Sequence, residues 1–299
     1  MELNKLSQIV DKAKNKDTKT LVVAAAEDLH VLQAVKKAID ESIVNAILVG
    51  DSTKIEDFAK QIDFNITDIE IIHELDVVKS CKTAVNIVRQ GRGDILMKGL
   101  VSTGVLLKAV LDKESGLRKG GLLSHVALFE TAHYHKLIGI TDAAMNVEPS
   151  VIEKAHIIEN SVELFNRLGI EKPKVSVLAA VELINPKMQA TVDAATLTTM
   201  NNRGQIKNCI VDGPLALDIS ISKEAAEHKG IVSDVAGDAD LLLAHDINVG
   251  NVLYKSLNFL GGANSAALIM GAQAPIVLTS RSDNETSKML SIALAAALD

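Results

Sequence analysis

The chain has 299 residues, of which 47% are hydrophobic, 23% charged and 2% aromatic, with no tryptophan and a formal net charge of -7. That is enough apolar sequence for a large buried core and more length than one core usually serves, so two domains are expected. The negative charge argues against a broad nucleic-acid or anionic-membrane footprint, and the lack of an aromatic stripe removes base stacking, which leaves room only for a small, focused anion site.

The first residues, MELNKLSQIVDKAKNKD, read as a polar amphipathic helix rather than as a cleavable leader. No apolar run reaches bilayer-spanning length, so a cytoplasmic soluble protein is expected. Apolar strand candidates follow at 21–26 (LVVAAA), 46–50 (AILVG), 69–73 (IEIIH) and 94–98 (DILMK), separated by amphipathic helices. Alternation of this kind is the pattern of parallel βαβ units. Thr53 and Glu56 form a T-x-x-E capping box for the helix after the second strand. The helix over 77–90 carries Val78, Cys81, Val85 and Val88 at helical spacing and stops at Gly91. Gly91-Arg92-Gly93 is thus a helix end rather than a nucleotide loop.

Residues 116–121 (GLRKGG) are glycine-rich, charged and weakly patterned, which suits a crossing between domains. Further strands are expected at 137–141, 174–180, 209–212, 239–244 and 274–279, with helices over 150–168 and 186–202. A glycine break at Gly261-Gly262 marks a return crossing. The resulting division is a discontinuous first domain, 1–118 plus 263–299, and a second domain, 119–262.

Cys81 and Cys209 are isolated, with no CxxC motif, and are expected to be buried apolar residues. His133 and His135 would share a strand face, but no third ligand stands at metal-binding spacing, so no metal is assigned. Neither GxxxxGK[ST] nor a GxGxxG after the first strand is present, which counts against an ATPase or a standard dinucleotide-binding domain.

Three constellations carry chemistry. In Lys98-Gly99-Leu100-Val101-Ser102-Thr103-Gly104 a buried strand runs into small hydroxyl residues and a helix bearing Lys108. Glycine lets backbone approach a ligand, and free N–H groups, hydroxyls and a lysine can hold an anion. The alternative reading of the same residues is an ordinary Ser/Thr N-cap with Lys108 on a solvated face. Asp246, Asn248, Asn251 and Lys255 cluster after a strand ending at His245, where Asn251 either caps the helix or binds a ligand. Asp212-Gly213-Pro214 is expected to be a strand exit and turn, with a ligand edge as the alternative. At the last strand's exit, Ser280 is placed to hydrogen-bond an oxygen that gains charge and Arg281 to grip a phosphate or carboxylate with two donors. Ser282 with Glu285 reads as another capping box.

Together KGLVSTGVLLKAVL, GLLSHVALFE, GITDAAMN, DGPLALDIS, ADLLLAHDINVGNVLYKSL and PIVLTSRSDNETSK resemble the phosphate acetyl/butyryltransferase family, and most closely its butyryl branch. The resemblance implies an α/β, two-domain parallel-sheet architecture of the isocitrate/isopropylmalate dehydrogenase-like type, with a homodimer whose contact lies in the second domain. It implies acyl transfer between coenzyme A and inorganic phosphate, without metal or other cofactor. Ser280 then matches the serine that stabilises the transition state, and Arg281 the arginine that binds the substrate anion. Lys255 matches the motif lysine, and Lys108 replaces an arginine of the acetyltransferases. Ser287 stands where those enzymes place the aspartate proposed as the thiol's base, so Glu285 is the expected base. Lys98, Ser102, Thr103, Asn251 and Ser287 complete the expected substrate-binding set. Phe259, in place of another arginine, points to an acyl group longer or more branched than acetyl. A phosphate acetyltransferase, an NAD-dependent decarboxylating dehydrogenase on the same fold and an inactive coenzyme A-binding protein are the alternatives.

Overall fold

The computed structural model describes residues 3–279 and 284–298. The chain opens on helix α1 (Leu6–Lys14) and then alternates strand and helix: β1 (Lys19–Ala24), α2 (Leu29–Asp40), β2 (Val44–Gly50), α3 (Ser52–Gln61), β3 (Glu70–His73), α4 (Val77–Arg89), β4 (Ile95–Lys98) and α5 (Thr103–Val110). The middle of the chain forms β5 (Ser124–Glu130), β6 (Ile138–Thr141), α6 (Val151–Arg167), β7 (Lys174–Leu178), α7 (Gln189–Asn202), β8 (Ile210–Leu215), α8 (Leu217–Ile221), α9 (Lys223–His228), β9 (Leu241–Leu243) and α10 (Ile247–Lys255), which continues into a π-helical turn, Ser256–Leu260. It ends on β10 (Asn264–Met270), β11 (Ile276–Val277) and α11 (Glu285–Ala296).

Two compact units result, named for their place along the chain: the outer unit, residues 7–121 with 266–298, and the inner unit, the central 122–265 with residues 3–6. In the outer unit the strands lie in the order β3-β2-β1-β4-β11-β10, and in the inner unit β5-β6-β9-β7-β8. Strands β1 to β4 are mutually parallel, as are β6, β9, β7 and β8. The fold is therefore α/β with mostly parallel strands. Leu21, Val22, Val23 and Ala24 of β1 have no exposed surface. Burial on both faces explains why the strand reads as a continuous apolar run instead of an alternation. Each such Leu or Val stabilises the core by about 1.5–3 kcal/mol.

Several local expectations change in the structure. Strands β5 and β10 were not among the strands expected, and each forms an antiparallel pair, β5 with β6 and β10 with β11. Short connections explain the direction, since a parallel return needs a dozen or more residues. The last strand shrinks from the expected 274–279 to Ile276–Val277. Helix α3 is capped by Asp51, whose carboxylate accepts from the Lys54 backbone N–H, so Thr53 and Glu56 form no capping box. Helix α7 starts at Gln189, three residues past the expected start, with Pro186 in the preceding turn. A reciprocal capping box does occur where α6 begins, between Ser150 and Glu153. Asp212, Gly213 and Pro214 lie inside β8, not at its exit. Cys81 is fully buried, but Cys209 is partly exposed. Among the described residues, no helix is long and apolar enough to cross a membrane.

Candidate active site

In the outer unit β4 lies between β1 and β11 and runs parallel to both, pairing Val23 with Met97 and Met97 with Val277. The carboxyl ends of these three strands therefore emerge side by side, the position where open α/β sheets receive ligands. The β4 exit is held by close backbone contact. Gly99 and Leu100 donate their N–H groups to Ala24 and Ala25 carbonyls at 2.8 and 2.7 Å. A Cβ on Gly99 would stand 2.0 Å from the Ala25 carbonyl oxygen, so only glycine permits this approach.

Lys98 is 7% exposed, and its Nζ donates to the carbonyls of Gly99 and Val101, both at 3.2 Å. Its ammonium thus curls the loop that follows. Ser102 is the N-cap of α5 and accepts from the Val105 N–H at 3.4 Å. Thr103 opens the helix, and Lys108 is exposed in its last turn. A Cβ on Gly104 would meet nothing within 4 Å, so the first turn of α5 borders open space. Free N–H groups of that turn and the helix dipole favour an anion there.

Sequence reasoning passed over Glu27, which is 8% exposed at the β1 exit and accepts from the Asp51 N–H at 3.3 Å. Its only signal was an acidic residue directly after a buried run. Burial pushes the Cys81 thiol up to about 11, with the charge of Glu27 adding to the rise and that of Lys98 opposing it.

Ser280 and Arg281, with Ser282 and Asp283, lie outside the described residues. The helix beyond them is capped by Asn284, whose side chain accepts from the Ser287 N–H at 2.8 Å. Glu285 is the first helical residue and is exposed, while the expected Ser282–Glu285 capping box falls on Ser282, outside the described residues. Ser287 is half-buried, and its carbonyl accepts from the Ser291 hydroxyl at 2.8 Å.

In the inner unit the polar residues after β6 and β9 satisfy one another. The Asp142 carboxylate, 3% exposed, accepts from the N–H groups of Ala144, Met145 and His125 and from the Asn146 amide. Helix α10 seats on this turn. A Cβ on Gly250 would stand 2.2 Å from the Asp142 carbonyl oxygen, and Asn251 donates to the Ala143 carbonyl at 3.1 Å. The cap is Asp246, accepting from Val249 N–H at 2.9 Å, so Asn251 is a brace within the helix rather than its cap. Lys255 is exposed at the end of α10, and Phe259 and Leu260 of the π-helical turn are 68% and 87% exposed.

The histidine pair does not form. His135 lies in the turn between β5 and β6, with its Nε2 2.8 Å from Asp238. Burial raises the Asp238 pKa, but hydrogen bonds from Lys174, His135 and Lys136 outweigh it and hold the carboxyl well below the usual range. Among the described residues no cluster of three His, Cys, Asp or Glu side chains is placed to hold a metal ion.

Strand ends that present glycines and lysines beside helix starts suit an anionic small molecule, and comparison with known proteins supplies the class. The family described as "Phosphate acetyl/butaryl transferase" matches residues 5–79 and 73–296. A phosphate butyryltransferase of Clostridium acetobutylicum is 48% identical over 294 residues, covering 98% of each chain. A phosphate acetyltransferase of Thermotoga maritima is 43% identical, covering 97% of this chain and 98% of its own. The crystal structure of a branched-chain phosphotransacylase from Enterococcus faecalis V583 superposes with a TM-score of 0.83 at 35% identity, covering 94% of this chain and 98% of that one. The chain belongs to the phosphate acetyl/butyryltransferase family and is an acyltransferase.

Proposed function

We propose that the protein moves a butyryl or branched short acyl group between coenzyme A and inorganic phosphate. The observation that carries this reading is 48% identity to a phosphate butyryltransferase across both units, with 98% of each chain covered. In the acyl-phosphate-consuming direction, the coenzyme A thiol loses its proton to Glu285, and its sulfur attacks the acyl carbonyl carbon. Ser280 hydrogen-bonds the oxyanion as it forms. The bond from carbon to the phosphate oxygen then breaks, and phosphate leaves on Arg281 and Lys255. Ser102, Thr103 and Lys108, with the first-turn N–H groups of α5, provide a further anion contact, while Lys98 holds the loop that presents them. Asn251 and Ser287 act at the substrate's edge. Because the thiol's ordinary pKa is roughly 8.5, the base must act within contact distance or the site must lower that pKa.

The reaction as proposed uses no metal or prosthetic group. We place the protein in the cytoplasm, as a homodimer joined through the inner unit, with the dehydrogenase-like type of two-domain α/β architecture that the resemblance implies.

A thiol-release assay with acyl-coenzyme A substrates from acetyl to hexanoyl tests the activity and its chain preference together. Phosphate-dependent release with an optimum at four or five carbons is expected. An optimum at acetyl would overturn the butyryl assignment, and no phosphate dependence would overturn the activity. The protein's own thiols contribute little background, since burial pushes Cys81 up to about 11 and Cys209 up to about 12. Glu285→Gln should lower turnover and flatten its pH dependence; unchanged turnover and profile would remove Glu285 as the base.

A further inference from the structure

The inner unit holds a polar cluster that the transfer reaction as written does not use. Lys154 projects from α6 with a side chain only 2% exposed. Its Nζ donates to Asp193 Oδ2 at 2.6 Å and stands 2.9 Å from His245 Nδ1. The other oxygen of Asp193 accepts from Gln189 Nε2 at 2.7 Å. A lysine ammonium offers only hydrogens, so the 2.9 Å contact needs Nδ1 as the acceptor. The ring is then neutral, with its proton on Nε2.

His245 directly precedes Asp246, the cap of α10. The network therefore joins α6 and α7 to the point where α10 begins, and α10 carries Asn251 and Lys255. We propose that His245 is a positioning residue that sets the start of α10, and through it Asn251 and Lys255, only while its ring is neutral. The consequence for catalysis rests on the acyl-transfer reading.

The groups that face His245 are Lys154 from α6, Asp193 from α7, Asp246 on its own turn and Glu148 from the segment before α6. Burial first, then Lys154, lowers the His245 pKa below its ordinary 6.5, while the three carboxylates act in the opposite sense without prevailing. The ring thus favours the neutral form in the folded protein. Its contribution to stability is complete above the unfolded value and is lost as pH falls through the lower folded one. Protonation puts a hydrogen on Nδ1 facing the ammonium, and the contact must open.

The experiment compares wild type, His245→Asn and His245→Ala in the full chain. Asparagine can offer its amide oxygen where Nδ1 stands but does not titrate, whereas alanine offers no acceptor. Side-chain nitrogen shifts of wild type should report the Nε2–H tautomer at pH 7.5. The KM for phosphate should rise on acidification in wild type, and His245→Asn should match wild type at pH 7.5 while cutting that rise by about threefold or more. His245→Ala should raise KM at pH 7.5, with kcat changing less. An Nδ1–H ring or an imidazolium at pH 7.5, a full acid-side rise in His245→Asn, or an unchanged KM in His245→Ala would each overturn the proposal.

If wild type shows no phosphate-dependent thiol release, the acyl-transfer reading fails while the positioning inference is still decided by α10 itself. Its backbone amide signals should then titrate with His245 in wild type and stay still in His245→Asn. Signals that do not move in wild type would refute it.

Discussion

The exits of β4 in the outer unit and β9 in the inner unit look alike as sequence but are built differently. Each follows a buried strand, contains glycine and small polar residues, and leads into a helix bearing a lysine, Lys108 in one and Lys255 in the other. At the β4 exit the loop is set mainly by backbone, through the approach of Gly99 to Ala25, while Ser102 and Lys108 stay exposed. At the β9 exit polar side chains hold the structure: Asp142, Asp246, Asn251, Lys154 and Asp193 each have a partner within the unit. A polar residue in a motif is therefore the stronger ligand candidate where the fold leaves more of its hydrogen bonds unmade. By that criterion the β4 exit has the more available polar groups, and the β9 exit is the more rigid support.

The largest effect expected from breaking this contrast is at Lys154. Lys154→Met leaves the Asp193 carboxylate buried without its cation and should destabilise the inner unit by about 3–5 kcal/mol, read as an earlier urea transition. A change of this size at Lys108, which is exposed, would contradict the contrast. At the backbone-built exit, Gly99→Ala forces a Cβ against a carbonyl and should cost about 1–3 kcal/mol, whereas Gly104→Ala, with open space beside it, should be neutral or stabilise by up to about 1 kcal/mol. Comparable losses at the two glycines would show that the Ala25 contact does not set the loop.

Asn251→Ala should cost about 1–2 kcal/mol, because it removes the brace between α10 and the Ala143 carbonyl. Part of its effect should appear as weaker substrate binding, measured as a raised KM. The smallest effect concerns a cap. Asp51→Ala should cost about 1 kcal/mol and Thr53→Ala a few tenths at most, since only Asp51 caps α3. Thermal unfolding midpoints of the two variants decide between the structural cap and the one the T-x-x-E pattern suggested.

Much of the fold was legible because its signals are local. Unbroken apolar runs marked β1, β2 and β4, Val78, Cys81, Val85 and Val88 marked α4, and Gly91, with φ of 74°, ended it. The strands β5 and β10 were missed for the opposite reason. They are antiparallel partners in a chain whose alternation suggested parallel units throughout, and strand direction depends on which neighbour pairs with them. The caps were misplaced by two to five residues because several polar residues near each helix start are able to cap it. The winner is whichever has extended backbone at the last non-helical position: Asp51 over Thr53, Asp246 over Asn251.

For the site, residue types and order along the chain were sufficient to indicate the family and to nominate Lys98, Ser102, Lys108, Asn251, Lys255 and Glu285. Tertiary structure decided how those groups are engaged. Lys98 turns back onto its own loop, Asn251 braces a helix, and Glu285 stands at the exposed start of α11, directly after the Asn284 cap. The pairing of Lys154 with Asp193 and His245 had no sequence signal, because 39 and 91 residues separate the partners. Apolar periodicity and cap chemistry are written over a few consecutive residues and can be read from them. Hydrogen-bond satisfaction depends on atoms brought together from distant segments, and only the folded chain determines which polar groups remain available for chemistry.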